Sequence, residues 1–158
     1  MKTRLDWDDY FLHLAEEVAT RSTCLRRHVG AVAVDTKTKR IIATGYNGNV
    51  PKLPHCTKDS CVRIVENIPS GQQLDRCFAV HAEQNIIVAL GVDKLSEATI
   101  YVTHQPCLTC LKLLLSCGVK RIVWQHDYPD LLSRALMNQY GTVEDKENYH
   151  QLIKKDEE

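Results

Sequence analysis

The sequence has no surplus of either charge: 20 Lys and Arg face 20 Asp and Glu across 158 residues. A chain that holds nucleic acid mainly by phosphate contacts needs a basic excess to displace counterions, so this balance argues against that class of function. Long hydrophobic runs are missing too. None reaches the roughly 18 apolar residues of a bilayer-spanning helix, and the mean hydropathy is −0.29. The opening stretch MKTRLDWDDYFLHLAEEVA carries acids in its middle and lacks the apolar core of a secretion signal. Internal repeats and linker-like stretches are also lacking. The expectation is one soluble, cytoplasmic domain over residues 1–158, without a membrane or nucleic-acid partner and long enough to bury a core without disulfides.

Seven cysteines stand out against this ordinary background: Cys24, Cys56, Cys61, Cys77, Cys107, Cys110 and Cys117. An odd number without an export signal does not suit a disulfide framework, and clustered thiols in a reducing compartment point to metal. Cys107 and Cys110 form a tight pair; Cys117, in the apolar run LLLSCG, reads as core. The other four are scattered, three of them in or at the close of an irregular, Pro- and Gly-containing insertion over about 49–77. Such a long irregular segment is usually functional or stapled by metal.

Periodicity places the remaining elements. WDDYFLHLAEEVATR (7–21) sets Tyr10, Phe11, Leu14 and Val18 at helical spacing. VGAVAVD (29–35) and RIIATGYNG (40–48) read as antiparallel strands across a short polar turn. HAEQNIIVALG (81–91) is a helix with a glycine stop, ATIYVTH (98–104) a strand, PCLTCLKLLLSCG (106–118) a helix, KRIVWQ (120–125) a strand and DLLSRALMNQYG (130–141) a last helix. The tail VEDKENYHQLIKKDEE reads as a solvated or frayed charge run. This order predicts an α/β fold, a three-layer α/β/α sandwich around a mixed sheet. Ligands in such sheets bind at the carboxyl ends of strands, where helices begin.

Two of those helix starts carry chemistry. His81-Ala82-Glu83 opens one, and Pro106-Cys107-Leu108-Thr109-Cys110 opens the next, one helix and one strand downstream. One imidazole and two thiolates make three zinc ligands, which leaves the fourth tetrahedral position free, as in catalytic rather than structural zinc. Cysteines three apart at a helix start face the same side, and the helix dipole favours thiolate there. Glu83, two residues past His81, suits a proton shuttle better than a fourth ligand. A lone C-x-x-C also occurs in redox motifs and zinc knuckles; paired with H-A-E at the preceding helix start it is far more specific.

The H-A-E…P-C-x-x-C pair resembles the signature of the zinc-dependent cytidine and deoxycytidylate deaminase superfamily. RSTCLRRHVGAV, GYNG (45–48), LPHC (53–56), HAEQN (81–85), THQPCLTC (103–110) and DYPD (127–130) extend the resemblance, over residues 7–145, to deoxycytidylate (dCMP) deaminases of bacterial and phage type. It implies a sheet of five strands and hydrolysis of dCMP to dUMP and ammonia, feeding thymidylate synthesis. His81, Cys107 and Cys110 would hold zinc, and Glu83 would pass a proton from water to N3 of cytosine and then to the departing amine. Asn47, Ala82 and Tyr128 would line the substrate pocket. The 5′-phosphate partner stays open among Arg26, Arg27, Lys52 and backbone groups. The resemblance also implies activation by dCTP and inhibition by dTTP in a homohexamer, with Mg2+ accompanying the triphosphate. The GYNG loop (Gly45, Tyr46, Gly48), Asn85, and Arg26 and Arg27 for the phosphates would form that effector site.

Cys24, Cys56, Cys61 and Cys77 suit a second, closed structural zinc, with His55 as the rival fourth ligand. Two other functions remain open at this level. One is a deaminase of another nucleoside, nucleotide or tRNA base; the other is a non-catalytic, zinc-stabilised binding module. Glu83 separates the second from an enzyme, since a purely structural site has no use for that carboxylate.

Overall fold

A computed structural model describes residues 3–155; Met1, Lys2 and the end of the tail, 156–158, lie outside the described residues. Helix α1 (Trp7–Ala19) begins where the Asp6 carboxylate accepts the Asp9 N–H at 2.8 Å, the side-chain cap that an exposed helix start needs. It buries Phe11, Leu12, Ala15 and Ala19. The buried stripe thus runs one residue off the expected one: Tyr10 faces solvent and Leu14 and Val18 pack at its margin.

Strands β1 (Gly30–Asp35) and β2 (Ile41–Tyr46) form the expected antiparallel hairpin. Its turn is tied by Asp35, whose Oδ1 accepts the N–H groups of Lys37 and Thr38. The chain continues through a short strand β3 (Gly48–Asn49), a one-turn helix α2 (Val62–Val65) and strand β4 (Ala79–Val80), which pairs with β3. Helix α3 (Ala82–Leu95) is broken at Gly91, where φ is 68°. Strand β5 (Ala98–His104), helix α4 (Leu108–Ser116) and strand β6 (Arg121–His126) make a crossover unit, and β5 and β6 are parallel. Helix α5 (Leu131–Tyr140) follows.

The main sheet has six strands, not five, in the order β2-β1-β5-β6-β8-β7. The addition comes from the tail. Residues expected to fray form a hairpin of β7 (Gly141–Asp145) and β8 (His150–Lys154), and β8 pairs antiparallel with β6. The charged Asp145, Lys146 and Glu147 are exposed, whereas Leu152 enters the main core and Gln151 is buried. Helix α1 covers one face of the sheet over Val32, Val34, Tyr101 and Val123. Helices α3, α4 and α5 cover the other, where Ala31, Ile100, Val102, Ile122 and Trp124 join Ile86, Leu111 and Met137. Close approach fixes two glycines. A Cβ on Gly30 would sit 2.1 Å from the Ala15 carbonyl oxygen of α1, and one on Gly45 would sit 2.4 Å from that of Ala82 at the start of α3.

One ionic cluster ties four elements together. Asp8 of α1 takes both Arg121 Nη groups at 2.9 and 2.7 Å and the Tyr101 hydroxyl at 2.8 Å, and Arg121 also donates to Gln151 of β8. Burial alone would raise the Asp8 carboxyl, but hydrogen bonds from Arg121 and Tyr101 outweigh it and hold the group below the usual carboxylate range. Asp8→Ala strands the Arg121 charge, whose side chain is 24 % exposed. The expected cost is about 2–3 kcal/mol, read as a melting point lower by roughly 5–10 °C. A depressed folded pKa means this stability is complete above the unfolded value of about 3.9 and fades as pH falls through the folded one. Thermal melts at pH 7 and pH 3 should therefore show the gap between the two proteins narrowing in acid.

Candidate metal centre and substrate pocket

His81 is the N-cap residue of α3, with extended backbone at φ −74° and ψ 157°. Its N–H is taken by Gln84 Oε1 at 2.8 Å, so the fourth letter of H-A-E-Q anchors the ligand-bearing turn, a role sequence reading missed. The signal was there: Gln three residues after an N-cap is half of a capping box. Cys107 is the N-cap residue of α4, and Cys110 lies in that helix's first turn, fully buried. The two helix starts meet. Among the described residues, His81, Cys107 and Cys110 are the one set of three or more metal-ligating groups whose donor atoms all lie within 4.8 Å of one another.

The spacing fits zinc. Bonds of roughly 2.0–2.1 Å to nitrogen and 2.3 Å to sulfur at a tetrahedral angle put N and S roughly 3.6 Å apart. His81 Nδ1 lies 3.5 Å from Cys107 Sγ and 3.2 Å from Cys110 Sγ. The charges are poised as well. The Cys107 thiol is drawn down to about 4, first by a hydrogen bond from Cys110, with His81 reinforcing it against burial. Cys110 moves the other way, raised by the same hydrogen bond and by burial. A dication would neutralise both sulfurs at once. Beside this cluster Glu83 is only 4 % exposed, and burial pushes its carboxyl up to about 7.

A pocket opens from the cluster, with Ala82 and Glu83 on one wall and Asn47 and Tyr128 on others. Asn47 is buried and heavily engaged. Its Oδ1 accepts the Val29 N–H at 2.8 Å and the Ser22 hydroxyl at 2.6 Å, and its Nδ2 donates to the Arg27 carbonyl at 2.8 Å. An amide nitrogen carries two protons, so one is left for a pocket occupant. The Arg27 guanidinium lies 4.7 Å over the Tyr128 ring and donates to Ser70 Oγ at 3.1 Å. Its Nη1 is buried with no partner among the described residues, and so is Nε of Arg63, another pocket residue. Arg26 also lines this pocket, but its Nη1 is taken by the carbonyls of Arg63 and Ile68, which ties down the insertion.

Sequence reasoning missed Arg63 and His104. His104, at the carboxyl end of β5, lines the pocket, and burial, with Arg27 and His126 adding to it, lowers its pKa to about 4. A strand end next to P-C-x-x-C could have flagged His104. Nothing local marks Arg63, which reaches the pocket through the path of the insertion.

The effector candidates divide. Gly45, Tyr46, Gly48 and Asn85 line a second cavity of about 420 Å³, with Arg21, Lys52 and His55 on its walls. Asn85 Nδ2 donates to the Tyr46 carbonyl at 2.8 Å. Arg26 and Arg27 are placed with the first pocket instead, and Lys52 with the second. Cys24, Cys56, Cys61 and Cys77 all line one small cavity beneath Asn49, from which His55 is absent. Among the described residues, no three of these sulfurs come within 4.8 Å of one another, and Cys56 donates to Asn49 Oδ1 at 3.2 Å.

Comparison with known proteins bears on the same residues. The model of the cytidine and deoxycytidylate deaminase zinc-binding region matches residues 5–126. The deoxycytidylate deaminase of Mycobacterium phage D29 is 39% identical over 127 residues, covering 77% of this chain and 96% of that protein. That of Schizosaccharomyces pombe is 36% identical over 126 residues, 79% of this chain; the match spans only 38% of the yeast protein. The crystal structure of the dCMP deaminase of cyanophage S-TIM5 in complex with dCMP and dUMP superposes with a TM-score of 0.67 at 26% identity, over 87% of this chain and 94% of that one. The matched stretch holds both helix starts and all three gathered ligands, and the chain belongs to the cytidine and deoxycytidylate deaminase family.

Proposed function

We propose that the protein hydrolyses dCMP: water adds at C4 of cytosine, the C4–N bond to the exocyclic amine breaks, and dUMP and ammonia leave. The product would feed thymidylate synthesis. The observation that carries this reading is Glu83, a buried carboxyl beside three metal ligands. His81, Cys107 and Cys110 would hold a zinc ion, which when bound would supply a water activated as a nucleophile at neutral pH. Glu83 takes the proton from that water, delivers it to N3 and later protonates the departing amine. A carboxyl raised by burial to about 7 is suited to both accepting and donating at neutral pH.

The unpartnered Nη1 of Arg27 and Nε of Arg63 support a phosphorylated substrate. A buried cationic donor left unsatisfied is costly, and an anion such as a 5′-phosphate offsets that cost. His104, kept neutral by its burial, adds no competing charge. Asn47, with one free amide proton, and Tyr128, braced by Arg27, position the sugar and base. Seven cysteines with no disulfide between them suit a reducing cytoplasm. No helix among the described residues is long and apolar enough to cross a membrane.

Glu83→Gln should keep its zinc and its fold yet lose about 10²–10⁴-fold in dCMP turnover, whereas His81→Ala should lose the metal. Ammonia release assayed on dCMP, deoxycytidine, CMP and adenosine-containing RNA, with metal content measured alongside, checks both. Wild-type preference for any substrate other than dCMP would overturn the substrate assignment.

The reading extends to a second zinc held by Cys24, Cys56, Cys61 and Cys77, supported by their convergence on one cavity. Elemental analysis should then find two zinc ions per chain, and Cys61→Ser should lower the melting temperature while leaving the catalytic zinc in place. One zinc per chain, together with wild-type melting of Cys61→Ser, would sink this part.

It extends also to regulation, with dCTP activating and dTTP inhibiting, each with Mg2+, in a homohexamer. The cavity of Gly45, Tyr46, Gly48 and Asn85 supports it, because Lys52 and Arg21 supply cations for a triphosphate. The adjacent residue Asn47 faces the substrate pocket, so one loop borders both spaces. Coupling of about 1–3 kcal/mol is the usual scale for such sites. Sigmoidal dCMP dependence should become hyperbolic with dCTP and steeper with dTTP. Hyperbolic kinetics indifferent to both, in an intact oligomer, would reduce the loop to a turn.

A further inference from the structure

The turn that carries Cys107 is held from outside the metal cluster, and the holder is Asp130. Its two carboxylate oxygens serve two helices. Oδ1 accepts the Ser133 N–H of α5 at 2.9 Å, and Oδ2 accepts the Leu108 N–H of α4, the residue directly after Cys107, at 2.8 Å. First-turn N–H groups have no partner within their own helix, and here one side chain satisfies both starts. Three further bonds cross the same joint. Ser133 Oγ donates to the Pro106 carbonyl at 2.6 Å, Gln105 Nε2 to the Asp130 carbonyl at 3.3 Å, and Gln105 N–H to the His126 carbonyl at 2.8 Å. On its other side the Asp130 N–H donates to the Tyr128 carbonyl at 2.7 Å, closing a tight turn over Pro129. The segment bearing the pocket wall is thereby fastened to the segment bearing the metal ligand.

A carboxylate shared in this way cannot rotate to improve one bond without losing the other. The ordinary cap of this chain makes the contrast: Asp6 caps α1 through one oxygen, onto its own helix. We infer that Asp130 is a positioning residue, which by capping α4 and α5 with a single carboxylate holds Cys107 and Tyr128 in fixed relation across the substrate pocket. The inference rests on the zinc-dependent reading above. Removing outer groups that orient metal ligands commonly costs about 10–100-fold in metal affinity or activity.

The test compares zinc-loaded wild type with Asp130→Ala, Asp130→Asn, Ser133→Ala and the remote cap variant Asp6→Ala. Zinc release to the colorimetric chelator 4-(2-pyridylazo)resorcinol is followed, kcat and KM for dCMP are measured separately, and melting curves report the fold. Asp130→Ala should release zinc at least about 10-fold faster and lose roughly 10–100-fold in kcat. Ser133→Ala should shift both in the same direction by less, and Asp6→Ala should lower the melting temperature with wild-type zinc release. Asn cannot accept both N–H groups through one oxygen, so Asp130→Asn should fall between wild type and Ala; if the Ala variant does not fold, Asn and Ser133→Ala are judged by the same release rates. Release at the wild-type rate with kcat and KM unchanged, whatever the melting loss, would make Asp130 a helix cap and nothing more. Wild-type protein that takes up no zinc would instead overturn the metal reading itself.

Discussion

The parallel pairing of β5 with β6 is the constraint from which the site follows. Parallel neighbours present their carboxyl ends at the same edge of the sheet, and here His104 and His126 are register partners at that edge. The chain leaving β5 becomes the Cys107 turn, and the chain leaving β6 becomes the segment of Tyr128 and Asp130. Both are delivered to one place before any side chain interacts. The antiparallel β1–β2 hairpin then brings Asn47 to the same rim, and the close approach of Gly45 to Ala82 seats the start of α3, with His81, beside it.

Burial sets the protonation of Glu83 and His104 at that rim, and it acts in opposite directions on the two types. It raises the Glu83 carboxyl toward neutrality and lowers the His104 imidazole well beneath it. Both effects penalise the charged form. The lasting positive charge of the pocket therefore belongs to arginines, whose guanidinium groups resist deprotonation. Arg26, Arg27 and Arg63 reach it from two sides, and Arg26 is spent on carbonyls of the insertion.

Much of this was legible in the sequence because the relevant signals are local. Helical spacing marked α1 and apolar, β-branched runs marked β1, β2, β5 and β6; the two helix starts carried their candidate ligands in a recognisable pattern, while Gly91, read as a stop, is a break beyond which α3 runs on to Leu95. What could not be read were partners brought in by tertiary path. Arg63 joins a pocket lined by residues far along the chain, Asp130 accepts from Leu108, and no spacing rule links them. The β7–β8 hairpin was hidden for a different reason. Its strands are short and their outer positions are Glu, Asp and Lys, so composition suggested solvent while Leu152 and Gln151 were packing inward.

That hairpin also separates two boundaries that are often treated as one. The stretch matched by the family model ends at residue 126, the last residue of β6. The sheet does not end there, because β8 supplies the backbone partners for Arg121 through Trp124. A fragment trimmed at residue 126 would turn an interior strand, rich in β-branched and aromatic residues, into a bare edge with unpaired amides and carbonyls. Such edges invite pairing with other copies. In this protein the stretch that carries the family signature is smaller than the sheet that leaves β6 paired on both sides.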